Sequence, residues 1–345
     1  MNAAPKILLE KLLDGIDLDR QEAGELLGVL TDGECPPAMA GALLAALRAK
    51  GETPDEILGL AEAMRGLARR PHLDATAGLT DVVGTGGDGS GSLNISTGTA
   101  LLAAACGVPV VKHGNRSISS RSGSADALES LGLGLPLDEE AAATCLARTG
   151  FTFLFAPYYH PAMKHLAPVR GALGVRTVFN ILGPLTNPAS PAFNLIGAYS
   201  PEVAELMAEA LAGAGIERAF VVHGEPGWDE ATPVGPFLMF DVRPGAVERT
   251  VRDPTEWGLS RCSEEDLKGG DAQHNAGRLR AVLRGEEHGP HRDALMLGAA
   301  LVLELTGRSQ SPVDGIAAAA AALDSGRGAA LLEAIADTGQ ELAGR

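Results

Sequence analysis

The chain has 345 residues, 45% of them hydrophobic, and a formal net charge of −16. That length and apolar content suffice for two domains or one large α/β domain with a sizeable core. The acidic balance opposes a general nucleic-acid-binding surface, which needs clustered cations, but not a small phosphate ligand held by local ones. Cys35, Cys106, Cys145 and Cys262 are scattered and form no Cys-x-x-Cys pair, so reduced thiols are expected. Residues 1–20 alternate apolar with charged side chains and lack a signal-peptide core. The longest apolar run, Ala100 to Val111, is about 12 residues, too short to span a bilayer. A cytoplasmic protein without a membrane partner is the expectation.

Residues 1 to 70 read as short helices. Asp19-x-x-Glu22 is a capping box ahead of Leu26, Leu27 and Leu30. Thr53-Pro54-Asp55-Glu56 combines a cap, a proline at the first helical position and a glutamate at the third. Ile57, Leu60, Ala61, Met64 and Leu67 then share one face. The region is expected to form a small helical domain. Its apolar face serves either as a dimer contact or as packing against the rest of the chain.

From Leu79 short β-branched runs alternate with helical patterns. Strands are expected at 79–83, 108–111, 151–155, 194–198 and 219–222, and helices at 97–105, 124–131, 139–149 and 201–214. This alternation predicts an α/β fold with a mainly parallel central sheet covered by helices. Residues 157–187 break the pattern with Tyr158-Tyr159-His160-Pro161, Arg170 and a segment from Asn180 to Pro188. They read as helix and loop that return to the helical domain. The expected division is therefore 1–74 with 160–190 as the helical domain, and 75–159 with 191–345 as the α/β domain. A strand pair at 237–242 and 247–251 follows, then helices to the C-terminus, including 316–323.

The chemistry concentrates between Asp81 and Ser124. Gly84-Thr85-Gly86-Gly87-Asp88-Gly89 joins an apolar strand to a helix. Glycines let backbone approach a ligand, and a helix N-terminus favours phosphate. Gly84, Gly86 and Gly89 formally satisfy the dinucleotide fingerprint G-x-G-x-x-G. Two features oppose that reading. Asp88 inside the turn would repel a pyrophosphate unless a metal lay between them. The next strand ends on Lys112 and His113 rather than on an acid for a ribose hydroxyl. Asn94, Ser96 and Thr97 begin the helix, as caps, as ligands or as both. Lys112, His113, Asn115 and Arg116 form a cationic cluster suited to an anion. Ser117, Ser119, Ser120, Ser122 and Ser124, with Gly123, suit a loop that closes over phosphates. Further on, Asp229-Glu230 is either solvated charge or a magnesium anchor. Arg170 and Arg176 serve as forks for a carboxylate substrate or as surface ion pairs.

Together, the stretches Gly84–Gly89, Asn94–Thr97 and Lys112–Ser117, the segment Arg121-Ser122-Gly123-Ser124-Ala125-Asp126, the block from Arg170 through Asn180 to Pro188, and Trp228-Asp229-Glu230 resemble the anthranilate phosphoribosyltransferases. The resemblance covers nearly the whole chain, in that family's order and spacing. It implies a nucleoside phosphorylase-like fold, a homodimer through the helical domain, and transfer of the phosphoribosyl group of 5-phosphoribosyl 1-diphosphate to anthranilate in tryptophan biosynthesis. By motif, Gly84, Gly87, Asp88, Ser92, Asn94, Ile95, Ser96, Thr97, Lys112, His113, Gly114, Asn115, Arg116, Ser117, Ser119, Ser120 and Ser124 would meet phosphoribosyl diphosphate. Ser96, Asp229 and Glu230 would hold Mg²⁺. Gly84, His113, Asn115, Arg170 and Gly183 would meet anthranilate. No acid or base is implied, only positioning by Lys112, Asn115 and Arg170. Gly298, in place of an asparagine, and Trp228, in place of a leucine, depart from the family pattern and are expected to affect packing. A pyrimidine nucleoside phosphorylase, which would lack the Lys-His-Gly-Asn-Arg block, and a nucleic-acid-binding relative are the rival readings.

Overall fold

The computed structural model describes residues 4–73, 78–117 and 121–343. Four helices open the chain: α1 (Ala4–Leu13), α2 (Arg20–Thr31), α3 (Pro37–Lys50) and α4 (Pro54–Gly66). Both expected capping boxes form, Asp19 with Glu22 on α2 and Thr53 with Glu56 on α4. Each satisfies N–H groups that a helix start otherwise leaves open.

Seven strands follow: β1 (Thr80–Gly84), β2 (Val110–Gly114), β3 (Phe151–Phe155), β4 (Phe193–Gly197), β5 (Arg218–Gly224), β6 (Phe237–Arg243) and β7 (Ala246–Arg252). They lie in the order β3-β2-β1-β4-β5-β6-β7. The first five run parallel, and β6 and β7 complete the edge antiparallel. Around them run α5 (Ile95–Ala105), α6 (Ser124–Ser130), α7 (Glu139–Thr149), α8 (Ala156–Tyr159), α9 (Ala167–Leu173), α10 (Phe179–Leu182), α11 (Pro201–Ala212), α12 (Ala272–Leu283), α13 (Pro290–Leu305), α14 (Pro312–Asp324) and α15 (Arg327–Ala343).

Both faces of the sheet are covered, so its strands read as continuous apolar runs. Successive residues serve opposite sides. Leu195 and Phe220 pack with Val82, Leu101 and Leu297 on the α5–α13 side. Their neighbours Ile196 and Val221 pack with Met207 of α11 and with Leu26, Leu60, Phe179 and Leu182 on the other. The first four helices and residues of the 166–185 stretch thus share one apolar cluster with one sheet face.

β1 sits between β2 and β4. The crossovers leave β1 towards both sides of the sheet, which opens a crevice at the carboxyl ends of β1 and β4. The expected strands match those observed to within two residues, with one difference that matters. Lys112 and His113 do not lie in a loop after β2. The strand continues through Gly114, because Lys112 pairs with Phe153 and His113 with Leu154 of β3. Both side chains are buried.

Candidate active site

Three glycines end three neighbouring parallel strands: Gly84 on β1, Gly197 on β4 and Gly224 on β5. A Cβ on Gly84 would lie 2.4 Å from Asp229 Oδ2, on Gly197 1.6 Å from the Asp229 carbonyl oxygen, and on Gly224 2.0 Å from that of Glu230. The chain after β5 therefore rests directly on the strand ends, an approach that any side chain there would block. This seats Asp229 and Glu230 at the switch point. The Gly86 N–H donates to Asp229 Oδ2 at 2.6 Å, and the Ser96 N–H donates to Glu230 Oε1 at 3.0 Å. The Asp229 N–H donates to Asp88 Oδ2 at 3.3 Å. Glycine loop, start of α5 and acid pair form one hydrogen-bonded unit.

Lys112 faces the same unit, 1% exposed. Its Nζ donates to the Val82 carbonyl and to Ser96 Oγ, the latter at 3.3 Å. Burial pulls its pKa down, while Asp81, Glu230 and Asp229 pull it up. Burial, helped by repulsion from Asp88, pushes Asp229 up to about 7. Burial and then Asp229 push Glu230 well above the usual carboxylate range, against the pull of Lys112. Buried acids outnumber the cation beside them. Adjacent carboxylates and a hydroxyl, all oxygen donors short of positive charge, fit a magnesium ion. Among the described residues, no group of three or more His, Cys, Asp or Glu could hold a metal alone. Oxygens of a bound phosphate would have to complete such a shell.

The glycine loop is braced from within. Gly86, Gly87, Gly89 and Gly91 all have positive φ. Asp88 Oδ1 accepts from the Ser90 N–H and Oγ, and Ser90 Oγ donates to Ser92 Oγ. Asp88 thus holds the loop together. Ile95 and Thr97 are buried in the first turn of α5, which starts at Ile95 and not at Thr97. Asn94 occupies the cap position but makes no side-chain cap bond. Its Nδ2 donates to the Ser122 carbonyl, and its Oδ1 accepts from Ser122 Oγ and Asn275 Nδ2. The amide therefore ties α5 to the segment before α6 and to α12.

At the end of β2, a Cβ on Gly114 would lie 2.5 Å from Ser124 Oγ, so the strand abuts the start of α6. Ser124 Oγ donates to the Asn115 carbonyl at 3.3 Å, and Asn115 Oδ1 accepts from the Arg116 N–H. Arg116 is not a spare cation. Its guanidinium pairs with Asp126 and Glu129, which hold its pKa high. The Ser117 N–H donates to Asp126 Oδ2. Ser119 and Ser120 lie outside the described residues. His113 Nδ1 is 3.3 Å from the Gly183 carbonyl. The ring meets His160 edge to face, with centroids 5.1 Å apart. Burial pushes His113 down to about 3 and His160 down to about 4, so both imidazoles are neutral.

Arg170 on α9 touches none of these groups. Its guanidinium lies over Phe179, 5.5 Å from the ring centroid, and burial alone lowers its pKa. It makes no ion pair among the described residues, which leaves its fork open for a carboxylate.

Sequence reasoning missed Asp81, Asn187, Gly197 and Gly224. Asp81, fully buried in β1, accepts from the His113 N–H at 3.2 Å and from Asn187 Nδ2 at 2.7 Å. The same Asn187 amide donates to the Val111 carbonyl. Burial pushes Asp81 up to about 6, against the pull of Lys112 and Asn187. A lone acid inside an apolar strand was the available signal. Of the two departures, Trp228 is buried and its backbone N–H donates to the Gly224 carbonyl. A Cβ on Gly298 would lie 2.3 Å from Thr99 Oγ1, so α5 and α13 cross there too closely for an asparagine without a shift.

Comparison with known proteins gives the chain's family. Residues 6–68 match the helical bundle domain, and residues 76–329 the a/b domain, of a glycosyl transferase family. The anthranilate phosphoribosyltransferase of Methylobacterium nodulans is 48% identical over 95% of this chain and 96% of its own. The crystal structure of the Thermus thermophilus anthranilate phosphoribosyltransferase superposes with a TM-score of 0.91 at 46% identity, covering 96% of this chain and 99% of that one. The Saccharomyces cerevisiae enzyme in complex with phosphoribosyl diphosphate and Mg superposes with a TM-score of 0.90 at 27% identity, covering 99% of both chains. By sequence and by fold, this chain belongs to the anthranilate phosphoribosyltransferases.

Proposed function

We propose that this chain joins anthranilate to the phosphoribosyl group of 5-phosphoribosyl 1-diphosphate, releasing diphosphate, as a step of tryptophan biosynthesis. The observation that carries the reading is the charge imbalance at the switch point. An acid pair, Asp229 buried and Glu230 half-buried, set on a glycine floor beside a glycine loop and Lys112, suits a metal–diphosphate group.

Gly84, Gly87, Asp88, Ser92, Asn94, Ile95, Thr97, Lys112 and Ser124 line the phosphoribosyl diphosphate site in this reading. Gly114, Asn115 and Ser117 form its rim, and Arg116 supports it through Asp126. Ser96, Asp229 and Glu230 would hold Mg²⁺, which when bound neutralises charge on the leaving diphosphate. Lys112 stabilises the same developing charge from its fixed, desolvated position. The ribose–diphosphate C–O bond breaks, the amine nitrogen bonds to the same carbon, and the amine proton passes to water. A base is not required, since the aromatic ammonium is itself acidic, and His113 is too weakly basic to serve. His113, Gly183 and Gly84 shape the amine's pocket, and Asn115 and Arg170 orient it, Arg170 through the carboxylate. Residues 160–190 belong with 1–74 as one domain in this reading. Ile7, Leu13 and Ile16, 56%, 68% and 49% exposed, supply an apolar face for a homodimer.

Anthranilate fluorescence tests the activity. Signal should fall only when both substrates and magnesium are present. A steady signal, or an equal fall in excess chelator, would overturn the reaction or the metal requirement respectively.

A further inference from the structure

We propose that Arg176 is a positioning residue that fixes the glycine loop from outside. The inference rests on the loop being the diphosphate site. Arg176 precedes α10, is exposed, and makes no ion pair among the described residues. Three contacts hold it nonetheless. Its Nη2 donates to the Gly87 carbonyl. Its guanidinium carbon stacks 4.0 Å from the centroid of Tyr199. Its own carbonyl accepts from Arg48 Nη1 at 2.5 Å.

The loop needs such a tether. Gly86, Gly87, Gly89 and Gly91 have positive φ and no side chains to pack, so the backbone is intrinsically free to change shape. The other outside anchors fall on either side of Gly87: the Thr85 and Gly86 N–H groups before it, and the Asp88 carboxylate and Gly91 carbonyl after it. At Gly87 the described contact is Arg176. A peptide unit is planar and trans, so its C=O and N–H point opposite ways. Fixing the Gly87 carbonyl towards Arg176 therefore aims the Asp88 N–H to the other side of the loop. Ordering that donor in advance lowers the entropy lost when an anion binds. Arg48 on α3 extends the tether to the helical domain.

Arg176→Ala should raise KM for phosphoribosyl diphosphate roughly tenfold, the scale of one charged hydrogen bond. It should leave kcat and KM for anthranilate within about twofold, since those depend on other residues. Tyr199→Ala, which removes only the platform, should raise the same KM about threefold. The double variant should be no worse than Arg176→Ala, because the two act as one unit. Unchanged KM, equal losses for both substrates, or full additivity would overturn the proposal. Calorimetric titration with phosphoribosyl diphosphate separates the two levels. A wild-type protein that takes up none overturns the reading of the loop itself, whereas wild type and variants that bind alike overturn only the role of Arg176.

Discussion

Two lysines, Lys50 with a shielded side chain and Lys112 wholly buried, show what separates scaffold from site. Lys50, at the end of α3, has a side chain 5% exposed. It donates to Asp17, to Glu56 and to the Gly51 carbonyl. Burial alone would lower its pKa, but the bonds to Asp17 and Glu56 outweigh that and raise it. Glu56 is fully used as well, accepting from the Leu18 and Thr53 N–H groups. Lys112 is more deeply buried, and among the described residues its Nζ meets a carbonyl and a hydroxyl but no carboxylate, so its pKa falls. The acids around it rise instead of falling. Burial of charge does not mark a site; charge left unmatched does.

The largest test exchanges each lysine for methionine. Lys112→Met should lower kcat/KM by about 10²–10³-fold, as for loss of one transition-state donor, with little fall in Tm. Lys50→Met leaves Glu56 buried without its cation and should cost about 3–5 kcal/mol in urea unfolding. Activity per folded molecule should stay normal. If both variants lost the same property, the comparison would fail. Next, Asp229→Asn with Glu230→Gln should leave almost no activity at low magnesium, while phosphoribosyl diphosphate still binds. An unchanged magnesium titration would remove that pair as ligands.

A smaller effect is expected at Arg170. Arg170→Ala should raise KM for anthranilate about 10- to 100-fold and spare phosphoribosyl diphosphate. Equal damage to both substrates would show that the arginine is structural. The smallest concerns pH. His113 and His160 have folded pKa values of about 3 and about 4, below the ordinary 6.5. Below pH 6.5 the unfolded chain binds protons that the folded chain does not, so stability falls as pH falls, until the folded pKa values are reached. The pair should account for about 1 kcal/mol between pH 7 and 6, and more below. His160→Asn should flatten that slope in urea titrations at stepped pH. An unaltered slope would mean that His160 is protonated in the native state.

Much of the site was readable because its chemistry is local. The glycine loop, Asn94 to Thr97, and Lys112-His113 stand within a few dozen residues of each other, with one strand–turn–helix–strand pattern around them. The Asp229-Glu230 pair was readable as a candidate, but not its burial. That follows from three glycines at the ends of three strands, and no spacing rule relates Gly84, Gly197 and Gly224. Asn94 read as a cap, a ligand or both, because its position is a cap beside the glycine turn. Its amide went elsewhere because Ser122 and Asn275, distant in sequence, offer it better-placed partners. Arg116 read as a site cation, yet Glu129 on the next helix claims it.

The sequence by itself determined the periodicities. These set the helical opening and the alternating α/β pattern, and the short motifs between Gly84 and Ser117 added the phosphate chemistry, all from residues near one another in the chain. Tertiary structure decided which charges would be compensated. That depends on what the folded chain brings within a few ångströms and shields from water, and it made Lys50 part of the frame and Lys112 part of the site.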